Sequence, residues 1–307
     1  MPVPADTPLE AKERLALMDL MDAGEYTVAK RQVDENIIIA TWNIRQFSEN
    51  KSWRALKYIA DIIERFDLVA IQEVKTDLRG LARLQEILPG RYRVLVTDAT
   101  GNSERFAFLY DARTVEPTGL VSDVALDIDV TDHVGFQLHR MPYCASFRAG
   151  RFDFTIVSVH IFDTSPEFKE KEIALLADRV AAKARRPGTK VVDRDLFVVG
   201  DFNIRKEGDR FFRALVEKGE FEMPEVLNKL TTNFKRTGTY DKIAWVRRRR
   251  DISFAGRCNV VPFYKAVFQD QEPPGGYAQV SDHLPLWAEF RVNVLTQQLE
   301  QVINPGP

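Results

Sequence analysis

The chain has 307 residues, 45% of them apolar and 29% charged, with a net charge of −2 at pH 7. That size allows one large domain or two ordinary ones, with enough apolar material for a substantial core, and the near-neutral balance excludes a global basic field advertising nucleic acid. Cys144 and Cys258 are the only cysteines, which argues against a disulfide framework. The start lacks a basic region followed by an apolar run, and no stretch approaches the roughly 20 apolar residues of a membrane helix. The expectation is a soluble, cytoplasmic protein without membrane insertion.

In chain order, residues 8–31 read as a helix, with Leu9, Leu15, Leu17, Met18, Leu20 and Met21 among charges. Residues 36–42 form an apolar strand, and Ser52 then caps a helix carrying Leu56, Ile59, Ala60, Ile63 and Phe66. A second strand, 67–72, precedes a helix through Leu78, Leu81, Leu84 and Leu88 that stops at Pro89 and Gly90. Strands are expected at 91–97, 105–110, 134–148 and 152–160, the last two joined by a turn at 148–151. Ser165 and Pro166 start a helix that runs to 186, before Pro187 and Gly188. A strand at 196–201, a helix near 208–218, a strand at 239–246, a long polar and aromatic stretch and a final strand at 286–293 complete the order. Irregular alternation of this kind, without repeats or an obvious linker, favours one domain of sheets with helices outside them.

The strands deliver chemistry at their ends. The run 37–43 hands over Asn43, and 67–73 hands over Glu73, hard oxygen ligands of the kind Mg²⁺ prefers. The run 154–160 ends in His160, 196–203 supplies Asp201 and Asn203, and 281–285 supplies Asp282 and His283. Two further pieces are Glu104, just before the strand at 105–110, and Asp241, within the strand at 239–246. Taken alone, each has a bland reading: a glutamate after a strand is ordinarily solvated, a histidine there is as often a bonded core residue, and Asp241 is as often a mere strand entry. Together they match phosphodiester hydrolysis. A metal at Glu73 and Asn43 supplies charge and Lewis acidity. Two histidines, each steadied by a carboxylate, handle protons, and the carboxamides of Asn43 and Asn203 bond phosphate oxygens without adding negative charge.

The ordered set T-W-N, Q-E, E-R-x-A-F-L-Y, S-V-H, G-D-F-N, Y-D-K-I and S-D-H-L-P resembles the endonuclease/exonuclease/phosphatase superfamily, and within it the deoxyribonuclease branch, over about residues 36–293. The resemblance implies an α/β (α+β) four-layer sandwich, two packed mixed β-sheets flanked by helices, with the site at one rim. It implies a helical extension at 1–35, a catalytic domain at 36–293 and a tail at 294–307. Glu73 then corresponds to the main metal ligand for Mg²⁺ or Mn²⁺, with Asn43 beside it and Asp282 supporting. His160 pairs with Glu104, His283 with Asp241, Asp201 orients the attacking water, and Asn203 holds the phosphate. The implied activity is a nuclease cutting DNA, with RNA as the lesser option, and the absence of any recognition module adds the expectation of little sequence specificity.

The chain also departs from relatives. No Y-x-P-x-G loop of the abasic-site repair branch is present; Arg140-Met-Pro-Tyr-Cys does not match it. After His160 comes Ile-Phe-Asp-Thr-Ser-Pro, bulkier than expected of secreted deoxyribonucleases. Asn203-Ile-Arg205 keeps a phosphoinositide phosphatase open, a sphingomyelinase-type phosphodiesterase shares the core, and a non-catalytic scaffold is the reading from another class. Among basic residues, Arg45 and Lys75 are best placed for phosphate. The four arginines at 247–250 suit either backbone phosphates or a solvated hairpin end. Arg140, Arg148 and Arg151 read as hairpin surface, and Trp42 and Trp245 as core.

Overall fold

A computed structural model describes residues 2–99, 103–185, 195–246, 252–272 and 275–293, together with 299, 302 and 303. The described elements, in order, are α1 (Pro8–Asp22), β1 (Asn36–Phe47), α2 (Trp53–Ile63), β2 (Leu68–Lys75), α3 (Arg79–Ile87), β3 (Tyr92–Val96), β4 (Glu104–Asp111), β5 (Glu116–Asp123), α4 (Ile128–Val134), β6 (Tyr143–Ala149) and β7 (Phe152–His160). They continue with α5 (Pro166–Arg185), β8 (Leu196–Asp201), α6 (Arg210–Gly219), β9 (Phe221–Glu222), α7 (Glu225–Asn228), β10 (Asp241–Val246), β11 (Phe254–Val260) and β12 (Leu286–Arg291).

The strands form two six-stranded sheets, ordered β11-β12-β1-β2-β4-β3 and β5-β6-β7-β8-β10-β9. Each has a parallel pair at its heart, β1 with β2 and β7 with β8, flanked by antiparallel neighbours. The carboxyl ends of the parallel strands and the amino ends of their antiparallel neighbours therefore share one rim. This explains why chemistry clusters at strand ends in the sequence.

Between the sheets lies an aromatic layer. Phe197 of β8 packs edge-on against Phe290 of β12 with centroids 4.9 Å apart, and Phe154, Trp245 and Phe147 extend the contact. Side-chain alternation sets the layers: Phe154 and Ile156 face this core, whereas Val157 and Val159 face Ile173, Leu176 and Val180 of α5. Helices α1 and α2 cover the other sheet through Leu17, Met21, Leu56 and Ile59, all buried. Each such aliphatic side chain contributes about 1.5–3 kcal/mol. Ser52 caps α2 by accepting from Ala55 N at 3.1 Å. The four-layer sandwich is the architecture the resemblance implied.

Several elements differ from the sequence reading. The helix expected over 8–31 ends at Asp22, where Gly24 takes φ +80 and the chain turns. The strand expected over 134–148 is instead the end of α4, closed by Gly135 at φ +78, then irregular chain, then β6. β5 and β11 were not anticipated. The polar stretch after β10 holds β11, while the arginines at 247–250 lie outside the described residues. Trp42 and Trp245 are buried, as expected of core residues. Among the described residues no helix is long and apolar enough to cross a membrane.

Candidate active site

At the shared rim the backbone departs from regular strand geometry, and the departures aim side chains. The β1–β2 register shifts between Asn43 and Phe47, and the β2–β4 register shifts between Ile71 and Val74. Glu73 sits inside the second irregularity at φ 62, and Gln46 inside the first at φ 45. A bulge of this kind re-aims a side chain that regular alternation would send to the other face. Here it brings Glu73 to Asn43, whose Nδ2 donates to Glu73 Oε1 at 3.0 Å, while Gln46 N donates to Glu73 Oε2 at 2.9 Å.

Asn43 also bridges the sheets. The same Nδ2 donates to Asp201 Oδ2 at 3.1 Å. Beneath it, buried Gln72 donates to Ser158 Oγ at 2.9 Å and to Thr41 Oγ1 at 3.2 Å, tying β2 and β1 to β7. Gly200 permits the close approach of β8 to β7: at φ +133, an added Cβ would lie 2.0 Å from Val159 O.

Asp201 lies between two histidine–carboxylate pairs. Its Oδ2 is 3.6 Å from His160 Nε2 and 3.7 Å from His283 Nε2. His160 Nδ1 is 3.4 Å from Glu104 Oε2, and His283 Nδ1 is 2.8 Å from Asp241 Oδ2. Burial opposes charge on His283, but Asp241 and Asp201 outweigh it and raise its pKa to about 10, so the imidazole is protonated at neutral pH. For Glu104, burial favours the neutral acid, yet His160, Arg140 and Lys75 together hold its pKa at about 2. Arg140 Nε stands 3.0 Å and Lys75 Nζ 3.3 Å from that carboxylate.

Asn203, at φ 53, donates its backbone N–H to Asp201 Oδ1 at 2.9 Å and its Nδ2 to Ile161 O at 2.8 Å. Ser281 Oγ donates to Asn43 O at 2.6 Å and accepts from His283 N at 3.1 Å and Arg45 N at 3.3 Å. Trp42 Nε1 donates to His283 O at 2.9 Å, fixing the loop before β12 from below.

Thus Asn43, Glu73, Glu104, His160, Asp201, Asn203, Asp241 and His283 form one continuous network. Arg45 and Asp282 stand at its more open edge, 3.8 Å apart with side chains 49% and 36% exposed. Sequence reasoning missed the roles of Gln72, Ser158 and Ser281, which carry no charge and whose partners lie far away in the chain. It also placed Arg140 on a hairpin surface. Arg140 is instead nearly buried against Glu104, on irregular chain between α4 and β6 where a strand was expected.

The donor set fits a hard divalent cation. Asn43 Oδ1 is buried without a hydrogen-bond partner, beside the Glu73 carboxylate. An amide oxygen and a carboxylate are the ligands Mg²⁺ and Mn²⁺ take. By distance, Asp201, Asp241 and His283 also place ligand atoms within 4.8 Å of one another, but there Asp241 is committed to His283 Nδ1.

Comparison with known proteins gives a consistent picture. The model of the Endonuclease/Exonuclease/phosphatase family matches residues 40–283. Deoxyribonuclease gamma of Rattus norvegicus is 28% identical over 277 residues, 83% of this chain and 84% of that protein. An endonuclease/exonuclease/phosphatase family domain-containing protein 1 of Xenopus laevis is 25% identical over 82% of this chain, which spans 49% of that protein's length. Among solved structures, a mannosyl-6-phosphatase of Bacteroides thetaiotaomicron superposes with TM-score 0.58 at 17% identity, over 83% of this chain and 99% of that one. At that identity the likeness concerns the fold.

Proposed function

Because the chain belongs to the endonuclease/exonuclease/phosphatase family, we propose that it is a divalent-metal-dependent nuclease cutting DNA or RNA backbones with little sequence specificity. The observation that carries this reading is Asp201 set between two histidine–carboxylate pairs, with both Nε2 atoms within 3.7 Å of a single oxygen. Similarity to a deoxyribonuclease along most of both chains supports nucleic acid as substrate. Residues 36–293 are the catalytic unit and 1–35 an extension packed on it, while the tail expected at 294–307 lies, but for residues 299, 302 and 303, outside the described residues. Cytoplasmic residence is part of this reading, supported by two free thiols.

Glu73 and the Asn43 Oδ1 would hold Mg²⁺ or Mn²⁺, with Asp282 supporting. When bound, the ion supplies positive charge and Lewis acidity at the phosphate. The remaining work falls to the chain's own groups. Asp201 orients a water for in-line attack on phosphorus and accepts its hydrogen bond. His283, held protonated by Asp241, sets a positive charge where negative charge develops. His160, steadied by Glu104, takes the water's proton at Nε2 as the new P–O bond forms, and the P–O bond to the leaving oxygen breaks as that oxygen takes a proton from His283. Asn203 and Arg45 hold phosphate oxygens, and Asn43 keeps Asp201 and Glu73 in register.

The test is conversion of supercoiled plasmid to open circles with Mg²⁺ or Mn²⁺, beside chelator and Glu73→Ala controls. Metal-dependent nicking lost in the variant is the expected result. Intact plasmid and intact RNA, with phosphate released from a phosphoinositide or phosphocholine from sphingomyelin, would overturn the nuclease reading in favour of another ester on the same core.

A further inference from the structure

Phe162 lies two residues beyond His160 and remains 39% exposed. The chain cannot carry it more than about 7 Å from the His160 backbone, given the reach of two residues. Its segment is pinned from several sides. Ile161 N donates to Asp201 O at 2.8 Å, and Asn203 Nδ2 donates to Ile161 O at 2.8 Å. Thr164 N donates to Phe162 O at 3.0 Å. Lys169, itself buried, donates to Asp163 Oδ1 at 2.9 Å and to Asn203 O at 2.6 Å. The ring is supported as well: the His139 centroid is 4.3 Å away and the Arg140 guanidinium 5.3 Å from the ring centre. Arg140 in turn contacts Glu104, the partner of His160.

An aromatic ring held this firmly beside a hydrolytic centre, yet left partly open to water, has the features of a stacking surface. We propose that Phe162, braced by His139 and Arg140, stacks on a nucleobase next to the phosphate being cut, so that unpaired strands are preferred over duplex. The proposal rests on the nuclease reading and names the form of nucleic acid it takes. A base reaches such a ring only after leaving its neighbours in the helix, which costs least in a single strand. Stacking is also indifferent to sequence, because every base has a π-face, and it requires no separate recognition module.

The experiment compares a fluorescent oligothymidylate with an equally long strand of abasic residues, identical in phosphate charge, and with the thymidylate paired to oligoadenylate. The expected result is fastest cleavage of the single thymidylate strand. Phe162→Ala should lower kcat/KM on that strand by about 5- to 150-fold, the range of aromatic–base stacking losses, bringing it near the abasic strand. Phe162→Trp should keep the preference. An unchanged base-to-abasic ratio in Phe162→Ala overturns the platform while leaving the nuclease reading intact. If the wild type cuts no strand, the nuclease reading fails, and anisotropy of the same two strands with wild type and Phe162→Ala decides the inference. A binding preference for thymidylate that the alanine variant loses supports stacking, and equal binding of both strands overturns it.

Discussion

Replacing Asn43 by aspartate keeps the side-chain shape and reverses its hydrogen-bonding character. The wild-type Nδ2 donates to Glu73 at 3.0 Å and to Asp201 at 3.1 Å. In Asn43→Asp three carboxyl groups meet with no donor among them. Losing two bonds to charged acceptors, at about 1.5–3 kcal/mol each, puts the penalty at about 3–6 kcal/mol. A trapped proton caps it. Holding a carboxyl protonated at pH 7, about three units above its ordinary value, costs about 4 kcal/mol. The variant should therefore be about 4 kcal/mol less stable than wild type at pH 7 in chelator, by the cap just derived. Between pH 4 and 7 its native state then binds an extra proton relative to the unfolded chain. Its deficit should shrink by about 1.4 kcal/mol for each unit of acidification, because stability falls with rising pH wherever the native state holds more protons. Urea unfolding at pH 5, 6 and 7 measures this directly. Millimolar Mg²⁺ should flatten the slope by replacing the proton. A variant as stable as wild type at pH 7, or a deficit that does not shrink in acid, would refute the donor role given to Asn43.

Further outcomes follow from the same geometry. Glu73→Ala should lose Mg²⁺ binding in titration calorimetry and lower turnover by orders of magnitude with little effect on folding; wild-type turnover would remove Glu73 from the metal site. His283, with its pKa raised to about 10 by Asp241 and Asp201, keeps its charge below that pH and loses it above. Asp241→Asn removes the principal support while Asp201 and Asp282 still favour the charge against burial, so the alkaline limb of the pH–rate profile should move to lower pH, and a limb that stays in place would contradict the pairing. Gln72→Leu strands the hydroxyls of Thr41 and Ser158 and should cost about 1–3 kcal/mol in urea unfolding. Gly200→Ala places a Cβ 2.0 Å from Val159 O at φ +133, and should yield little folded protein on expression, as judged by circular dichroism.

The legibility of this fold tracks burial. The interior strands β1, β7 and β8 announce themselves as apolar runs because both their faces are covered. The edge strand β5 is largely exposed, and Pro117 and Gly119 within it read as loop. β11, another edge, carries Gly256 and Asn259 and has the same effect on the eye. The charged members of the site were visible because a carboxylate or imidazole ending an apolar strand is conspicuous. Their orientation was not: regular alternation sends Glu73 to the face opposite Gln72, and only the bulge at φ 62 turns it back. The bracing of Phe162 by Arg140 depends on an irregular segment whose course no periodicity encodes.

The site takes Asn43 from β1 near the start of the chain and His283 from the loop before β12 near its end, and β12 is the strand that pairs with β1. Between the emergence of these two residues from a ribosome lie about 10 to 50 s of synthesis at ordinary elongation rates. Throughout that interval β1 lacks its β12 neighbour, and Asp241, once made, has no imidazole to hold. A growing chain, or one broken off before β12, cannot assemble the second histidine pair. The closing strand thereby sets an order of assembly, and the pairing of His283 with Asp241 is the last part of the site to form.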